Sequence, residues 1–464
     1  MPITAEIRAL ARLLLRGEWD RESMQQRVQS QLGKCPRAFS SAITKVLRQH
    51  PPGTRPTLEA VTAILSVNDS LRTALTRQRP RLYERLLTDP LQESRWRWPV
   101  HRLESAGELA DWLEVEPNDL LWFADPGEWL RRGASQALRH YRWQWIPKRT
   151  GGYRLLEAPK PRLVGIQRRI LDGILQAIPV HESAHGFVVG RNTLSHVEPH
   201  TGKATVLRLD LADFFPSIPR ARVDAIFRHA GFPVAVARLL ACLCTTSTPT
   251  GVLAGCPAGA SSRIRQLHRM PHLPQGSPAS PALANLAAFR LDCRLRGYAE
   301  AAGANYTRYA DDLLFSGGPE LRRAADPLLT RIGAIVIEEG FEVNWRKVRV
   351  QTQSVSQRAV GLVLNEKPAV PREQYDQLKA ILHNIGRHGS ASQNRDGHAD
   401  FEAHLRGRIA HFAHIQPARG ARLKALLEAI PSERWECGPA AVRSSSGASS
   451  PPVPGSGTWT RSTR

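Results

Sequence analysis

TRYADDLLFSGG, residues 307–318, sets two aspartates, Asp311 and Asp312, between two short segments of strand character. Tyr306 to Ala310 mix aromatic and β-favouring residues, and Leu313 to Phe315 are apolar up to the stop at Ser316-Gly317-Gly318. The pattern is that of a β-hairpin with the acidic pair at its tip. Aspartate favours turns because its side chain caps nearby backbone groups. Two adjacent carboxylates are therefore explained either by a solvated turn or by a strongly positive partner held there. These residues alone leave both readings open.

The segment VLRLDLADFFPSI, residues 206–218, narrows the choice. Val206, Leu207 and Leu209 make a buried-strand run with Asp210 at its end, where its carboxylate can face the hairpin tip from a neighbouring strand. Three carboxylates brought together in this way stay ionised only beside cations. Two Mg²⁺ ions about 3.5–4 Å apart would relieve the repulsion, one activating an attacking oxygen and the other bridging a triphosphate. The chemistry expected of such a site is phosphoryl transfer. Between the acidic segments lies LPQGSPASPALANL, residues 273–286, whose prolines fix a loop running into a helix near Ala282. Gln275 and the bare backbone of Gly276 can approach a base or sugar closely.

Bulk composition agrees with a polyanionic partner. Among 464 residues, 64 Lys and Arg oppose 42 Asp and Glu, for a formal charge of +22. Nucleic acid is the first candidate and an anionic membrane surface the second. No apolar run approaches the roughly 20 residues of a spanning helix. Arginines interrupt the apolar N-terminus and no cleavage site follows, so a cytoplasmic protein without a signal peptide is expected. Six irregularly spaced cysteines do not form a disulfide framework. Cys242, Cys244 and Cys256 with His268 and His272 match no zinc-finger spacing, and Thr245 to Met270 is expected to be a polar loop.

Along the chain, residues 1–95 are expected to be helical. Ile7, Leu10, Ala11 and Leu14 form one apolar stripe, and a break at residues 50–53 precedes a second helical stretch from Thr57 to Leu87. Most of the tryptophans between 95 and 145 are expected in the core. Alternating strands and helices from about 140 to 365 suggest an α+β or α/β core. Tyr375, Leu378, Ile381, Leu382 and Ile385 make a further helical stripe, with more helix around 400–430. The Ser/Gly/Pro-rich tail is expected to be disordered.

LDLADFF, LPQGSPASP and YADD, in that order, resemble the palm motifs of reverse transcriptases. RLLEAPKPRLVGIQRRIL (154–171) resembles the fingers segment of the same family. AHGFVVGRNTLSH (184–196) and RAVGLVLN (358–365) resemble segments of the bacterial retron enzymes. The resemblance covers roughly residues 105–430. It implies an α+β right-hand polymerase with fingers and palm at 96–365, a helical thumb at 366–432, a helical N-terminal extension at 1–95 and a disordered tail at 438–464. The implied activity is RNA-directed DNA synthesis with two Mg²⁺ ions and dNTPs. A retron enzyme would copy part of its own noncoding RNA into msDNA in defence against phage, often beside a separate effector protein. Other bacterial reverse transcriptases, of the diversity-generating or phage-exclusion type, and a non-catalytic RNA-binding scaffold are the alternatives.

The resemblance assigns the metal triad to Asp210, Asp311 and Asp312, and the exclusion of a ribose 2′-hydroxyl to Phe215. Gln275 is placed against the incoming nucleotide, Lys148 and Arg154 on its triphosphate, and Lys347 as acid to the leaving pyrophosphate. Asn192, His196 and Gly361 fall in segments associated with RNA binding. Those segments depart from the family pattern: Thr193 stands where alanine is usual, and Ala359-Val360-Gly361 replaces Val-Thr-Gly.

Overall fold

The computed structural model describes residues 4–15, 18–32, 34–51, 54, 56–77, 96–129, 135–148, 151–257 and 262–435. Its contacts divide the chain into two units, Met1–Pro368 and Ala369–Arg464.

A four-stranded antiparallel sheet organises the first unit. Its strands are β3 (Thr205–Asp210), β4 (Asn305–Tyr309), β5 (Asp312–Gly317) and β6 (Arg349–Thr352), in the order β4-β5-β3-β6. Val206, Leu207 and Leu209 on β3 and Leu313 to Phe315 on β5 are buried. These apolar runs, broken on β3 by the half-buried Arg208, fit interior strands covered on both faces. β4 and β5 are the expected hairpin. Tyr309 pairs with Asp312, so Ala310 and Asp311 form the turn, and Ala310 takes φ 55°, a region most L-residues avoid. Helices pack their apolar stripes on this sheet to complete one large core that includes Phe214, Phe227, Phe315 and Phe341.

Two smaller ribbons complete the strand inventory of the described residues. β1 (Tyr141–Pro147) and β2 (Tyr153–Pro159) pair antiparallel from Tyr141↔Pro159 to Pro147↔Tyr153. β7 (Arg358–Ala359) and β8 (Leu362–Val363) are joined by Val360 and Gly361, at φ 42° and 84°. Positive φ at both central residues is the geometry of a two-residue hairpin turn that matches strand twist.

The N-terminal helices, Thr4–Leu15, Arg21–Leu32, Arg37–Gln49, Leu58–Ser66 and Asp69–Arg77, enclose a separate core containing the stripe Ile7, Leu10, Ala11 and Leu14. The stretch expected to be continuous from Thr57 is broken at Val67-Asn68, where the Asn68 side chain accepts from the Leu71 amide at 3.1 Å and starts a new helix. The remainder of that stretch, from residue 78, and the tail at 438–464 lie outside the described residues. In the second unit, helices Arg372–His388, Phe401–Ile415 and Pro417–Glu428 pack together, with Leu378, Leu382 and Ile385 buried.

One expectation needs correction. Thr245 to Met270 is not simply a loop: it contains helices Thr250–Ala254 and Ser262–Arg269, the second burying only Ile264 and His268. Ile264 and Leu267 are the apolar residues of this helix, too few for the sequence to show as a stripe. Most of the tryptophans pack as expected: Trp96, Trp98, Trp112 and Trp143 lie against the core, while Trp122 and Trp129 are 40% and 74% exposed.

Candidate active site

The register of the central sheet builds an acidic centre. β3 runs antiparallel to β5 with Asp210 directly opposite Asp312, and the amide of Leu211 donates to the Asp311 carbonyl at 2.8 Å. The end of β3 is thereby locked to the hairpin tip. Burial, followed by the charges of Asp210 and Asp312, pushes the Asp311 carboxyl up to about 6. Asp312 is raised as well, by burial, although Arg208 beside it opposes the shift. A carboxylate that resists ionisation next to two others suits a hard divalent cation.

Two cations of the chain engage this centre. Lys347 Nζ lies 2.8 Å from Asp210 Oδ1, and the Asn344 side chain donates to Asp210 Oδ2 at 3.3 Å. Arg208, one residue before Leu209 on β3, donates from Nε and Nη2 to Asp312 Oδ1 at 2.9 and 2.8 Å. Lys347 was a sequence candidate; Arg208 was not, because a strand arginine beside apolar residues carries no motif. Lys148, at the end of the β1–β2 ribbon, reaches Asp213 at 3.8 Å, and Arg263 reaches it at 3.7 Å. Arg154 is exposed on β2, paired across the ribbon with Ile146.

Phe214 and Phe215 separate clearly. They follow β3 in a turn, not on a strand, with Asp213 at φ 48°. Phe214 is buried against Phe341, ring centroids 5.6 Å apart, whereas Phe215 is half-buried and looks out towards Phe187 at 6.3 Å. Phe187 escaped the sequence reading. It sits at φ 60°, 53% exposed, 6.5 Å from the Tyr309 ring, held there because Gly186 packs against the hairpin turn. A β-carbon on Gly186 would lie 2.6 Å from the Ala310 nitrogen, so only glycine fits.

The other candidates are spread around this centre. Gln275 is half-buried, in a loop whose carbonyl accepts from the Glu157 amide at 2.8 Å. Gly276, expected to clear space for a base or sugar, instead clears space for the protein: at φ 134°, its β-carbon would sit 2.9 Å from the Glu157 carbonyl oxygen. His196 is fully buried, with Nδ1 2.7 Å from Thr307 Oγ1 on β4, and burial holds its imidazole well below the ordinary range. Its ring has no surface to offer RNA; it anchors the hairpin from behind. Asn192 caps the helix Thr193–Val197 by accepting from the Ser195 amide at 3.0 Å, and Gly361 is exposed at the β7–β8 turn. Cys242 and Cys244 are buried in a helix, while His268 and His272 turn to Glu157, all three with ligand atoms within 4.8 Å of one another.

Beneath the hairpin lies a fully buried ion pair. Arg308 on β4 donates from Nε and Nη2 to Asp292 at 2.8 and 2.6 Å, and from Nη1 to Asn285 and to the Ala310 carbonyl, both at 3.0 Å. Both side chains are 0% exposed. Asn285 in turn donates to the Gly186 carbonyl at 2.8 Å. One guanidinium therefore braces the turn that carries Asp311 and the loop that carries Phe187.

Comparison with known proteins agrees with this geometry. A profile of the family described as Reverse transcriptase (RNA-dependent DNA polymerase) matches residues 146–366, which include all three aspartates. The chain is 37% identical to the Retron Mx65 reverse transcriptase of Myxococcus xanthus, over 82% of this chain and 83% of that one. It is 36% identical to the Retron Mx162 reverse transcriptase of the same organism, over 71% and 68% of the two chains. Against the Retron Ec86 reverse transcriptase of Escherichia coli the identity is 31%, over 50% and 65%. No helix among the described residues is long and apolar enough to cross a membrane. Identity of this extent across most of both chains places the protein among the retron reverse transcriptases, RNA-directed DNA polymerases built on the reverse-transcriptase polymerase fold.

Proposed function

We propose that Asp210, Asp311 and Asp312 hold two Mg²⁺ ions and that the enzyme copies part of a noncoding RNA of its own into msDNA, in defence against phage. The observation that carries the catalytic reading is the register that sets Asp210 opposite Asp312 beside a raised Asp311. The metal ions would supply activation of the attacking hydroxyl and neutralisation of phosphate charge. In this reading residues 96–365 are fingers and palm, 366–432 the thumb and 1–95 an extension. Lys148 and Arg154 grip the triphosphate, and Gln275 borders the nucleotide. Lys347 gives a proton to the leaving pyrophosphate in this reading, which its position 2.8 Å from Asp210 supports. Asn192, His196 and Gly361 act on RNA through the shape of their segments. For His196 the effect is indirect, through Thr307.

The test of the catalytic part is primer extension by the purified protein on an RNA template with Mg²⁺ and dNTPs. For the retron part, nucleic acid recovered from expressing cells should contain short single-stranded DNA attached to RNA encoded beside the gene. Extension in vitro without any such product in cells would leave the polymerase standing and remove the msDNA role.

Phe215 is proposed to exclude ribonucleotides. A phenyl ring under the sugar leaves a 2′-hydroxyl neither room nor a hydrogen-bond partner, a penalty on the order of 2–4 kcal/mol, or tens to hundreds of fold. Its half-exposed position next to the acidic centre supports this, as does the burial of its neighbour Phe214. Phe215→Val should relax the dNTP over rNTP preference at least about tenfold in steady-state incorporation. Phe214→Val should lower stability by about 1–3 kcal/mol and leave the preference alone. A Phe215→Val enzyme that loses rate but keeps its sugar preference would show that the ring only packs.

A further inference from the structure

Glu157, on β2, is 0% exposed and lies at the junction of three segments distant in sequence. Its Oε1 accepts from Trp143 Nε1 at 3.2 Å and from Thr248 Oγ1 at 2.7 Å, and its Oε2 is 2.7 Å from His272 Nε2. The ring's other nitrogen, Nδ1, is 2.7 Å from the Met270 carbonyl oxygen. A carbonyl and a carboxylate both accept, so both ring nitrogens must donate and His272 is an imidazolium. The pair is a buried Glu157⁻–His272⁺ bridge with every carboxylate oxygen satisfied.

Three residues beyond His272 is Gln275. The Glu157 main chain takes hold of that loop as well, its amide donating to the Gln275 carbonyl at 2.8 Å while Gly276 lies against its carbonyl. Main chain and side chain of one residue thus fix both ends of the segment from His272 to Gly276 onto the strand that carries Arg154. We propose that the Glu157–His272 bridge is a positioning lock, setting Gln275 relative to Arg154 so that the two meet one incoming nucleotide. The inference rests on the reading that Gln275 borders that nucleotide.

A metal ion is the competing occupant, since His268 completes a set of three buried ligand groups. The distances favour a proton. Ligand atoms around a tetrahedral zinc at about 2.0–2.2 Å lie more than about 3 Å apart. His272 Nε2 and Glu157 Oε2 stand at hydrogen-bond distance, 2.7 Å. Thr248 gives its only proton to Glu157, so His268 Nδ1 faces two acceptors, the Thr248 oxygen at 3.3 Å and Glu157 Oε2 at 3.6 Å, and as their donor keeps no lone pair there for a metal.

The lock has a pH limit. The pull of Glu157 outweighs burial and raises His272, while His272 and His268 together outweigh burial and hold Glu157 low. The other titratable groups facing the pair are His268, Tyr141, whose phenol burial pushes far up, and Arg220, which donates to Thr245 Oγ1 at 3.0 Å. As pH rises through the raised value of His272, the imidazolium is lost and the bridge with it.

Steady-state kinetics of the full chain on a fixed RNA template and primer test this. In His272→Gln and Glu157→Gln the KM for dNTP should rise on the order of tenfold, with kcat and RNA affinity within about twofold. The wild-type KM should climb on the alkaline side of neutrality, and the His272→Gln enzyme should lack that limb. If either variant fails to fold, the wild-type profile decides by itself: a KM that stays flat as pH rises through the alkaline range overturns the lock. Gln275→Ala separates the two readings. If it leaves KM unchanged, the nucleotide role of Gln275 falls; if it raises KM while the bridge variants do not, the lock alone falls. Stoichiometric zinc in the purified protein would also overturn the proposal.

Discussion

Asp311→Asn is expected to abolish DNA synthesis, with a loss of at least about 1000-fold, and to stabilise the folded protein in metal-free buffer. The first effect follows if metal-assisted phosphoryl transfer, worth several kcal/mol, needs the full charge of the triad. The second follows from linkage. The Asp311 carboxyl is pushed up to about 6 in the folded chain, against an ordinary aspartate value of 3.8. The folded state then holds the extra proton, so wild-type stability declines as pH rises from about 4 to about 6. The full deficit, about 2–3 kcal/mol, is present above that range. Asparagine cannot ionise and escapes the deficit. Thermal unfolding in EDTA should show the variant ahead at pH 7.5 and level near pH 4, and added Mg²⁺ should raise wild type more than variant. An Asp311→Asn enzyme that extends primers normally, or whose advantage does not change with pH, would contradict the assignment.

The second large effect concerns stability. Asp292→Ala leaves the Arg308 guanidinium charged, buried and stripped of its carboxylate, which should cost about 3–5 kcal/mol. Arg308→Met strands Asp292 in the same way. For a unit spanning Met1–Pro368 the melting temperature should fall by roughly 4–7 °C, because the unfolding entropy grows with the number of residues. The double variant Arg308→Met/Asp292→Leu should unfold at a higher temperature than either single variant, because no lone charge remains inside. It should nevertheless polymerise poorly, since the Ala310 carbonyl and Asn285 lose their common donor. Singles that lose less than about 1 kcal/mol, or a double that is simply additive, would show that the pair is not the brace of the hairpin.

What the sequence displays and what it hides follow one physical line. The acidic hairpin, the strand ending in Asp210 and the Pro-Gly loop are local patterns, and local patterns survive in a string of letters. Arg308 stands three residues before Asp311, yet nothing marks it as buried, because its partner is on a helix and arginines are usually solvated. His272 and Glu157 are 115 positions apart, so a sequence in which these histidines match no zinc-finger spacing gives no sign either of the carboxylate that the tertiary fold supplies. His196 carried a family association with RNA and turned out to be walled in behind β4. Gly276 was correctly marked as a place of close approach, but the approaching group is the protein's own backbone.

The order of the central sheet also bears on how the chain is made. β3 pairs with β5 on one edge and β6 on the other, and both partners follow it in the sequence. As the polypeptide leaves the ribosome, β3 must wait for roughly a hundred more residues before its first neighbour emerges. At about 5–20 residues per second the delay is on the order of 5–20 s. Throughout that interval a sticky apolar strand has both hydrogen-bonding edges open. Helices Arg220–Ala230 and Val234–Cys244, synthesised immediately after it, join the same core well before that neighbour emerges. Slowing translation between residues 245 and 312 should therefore favour aggregation of the nascent chain, whereas slowing it after residue 352 should have little effect.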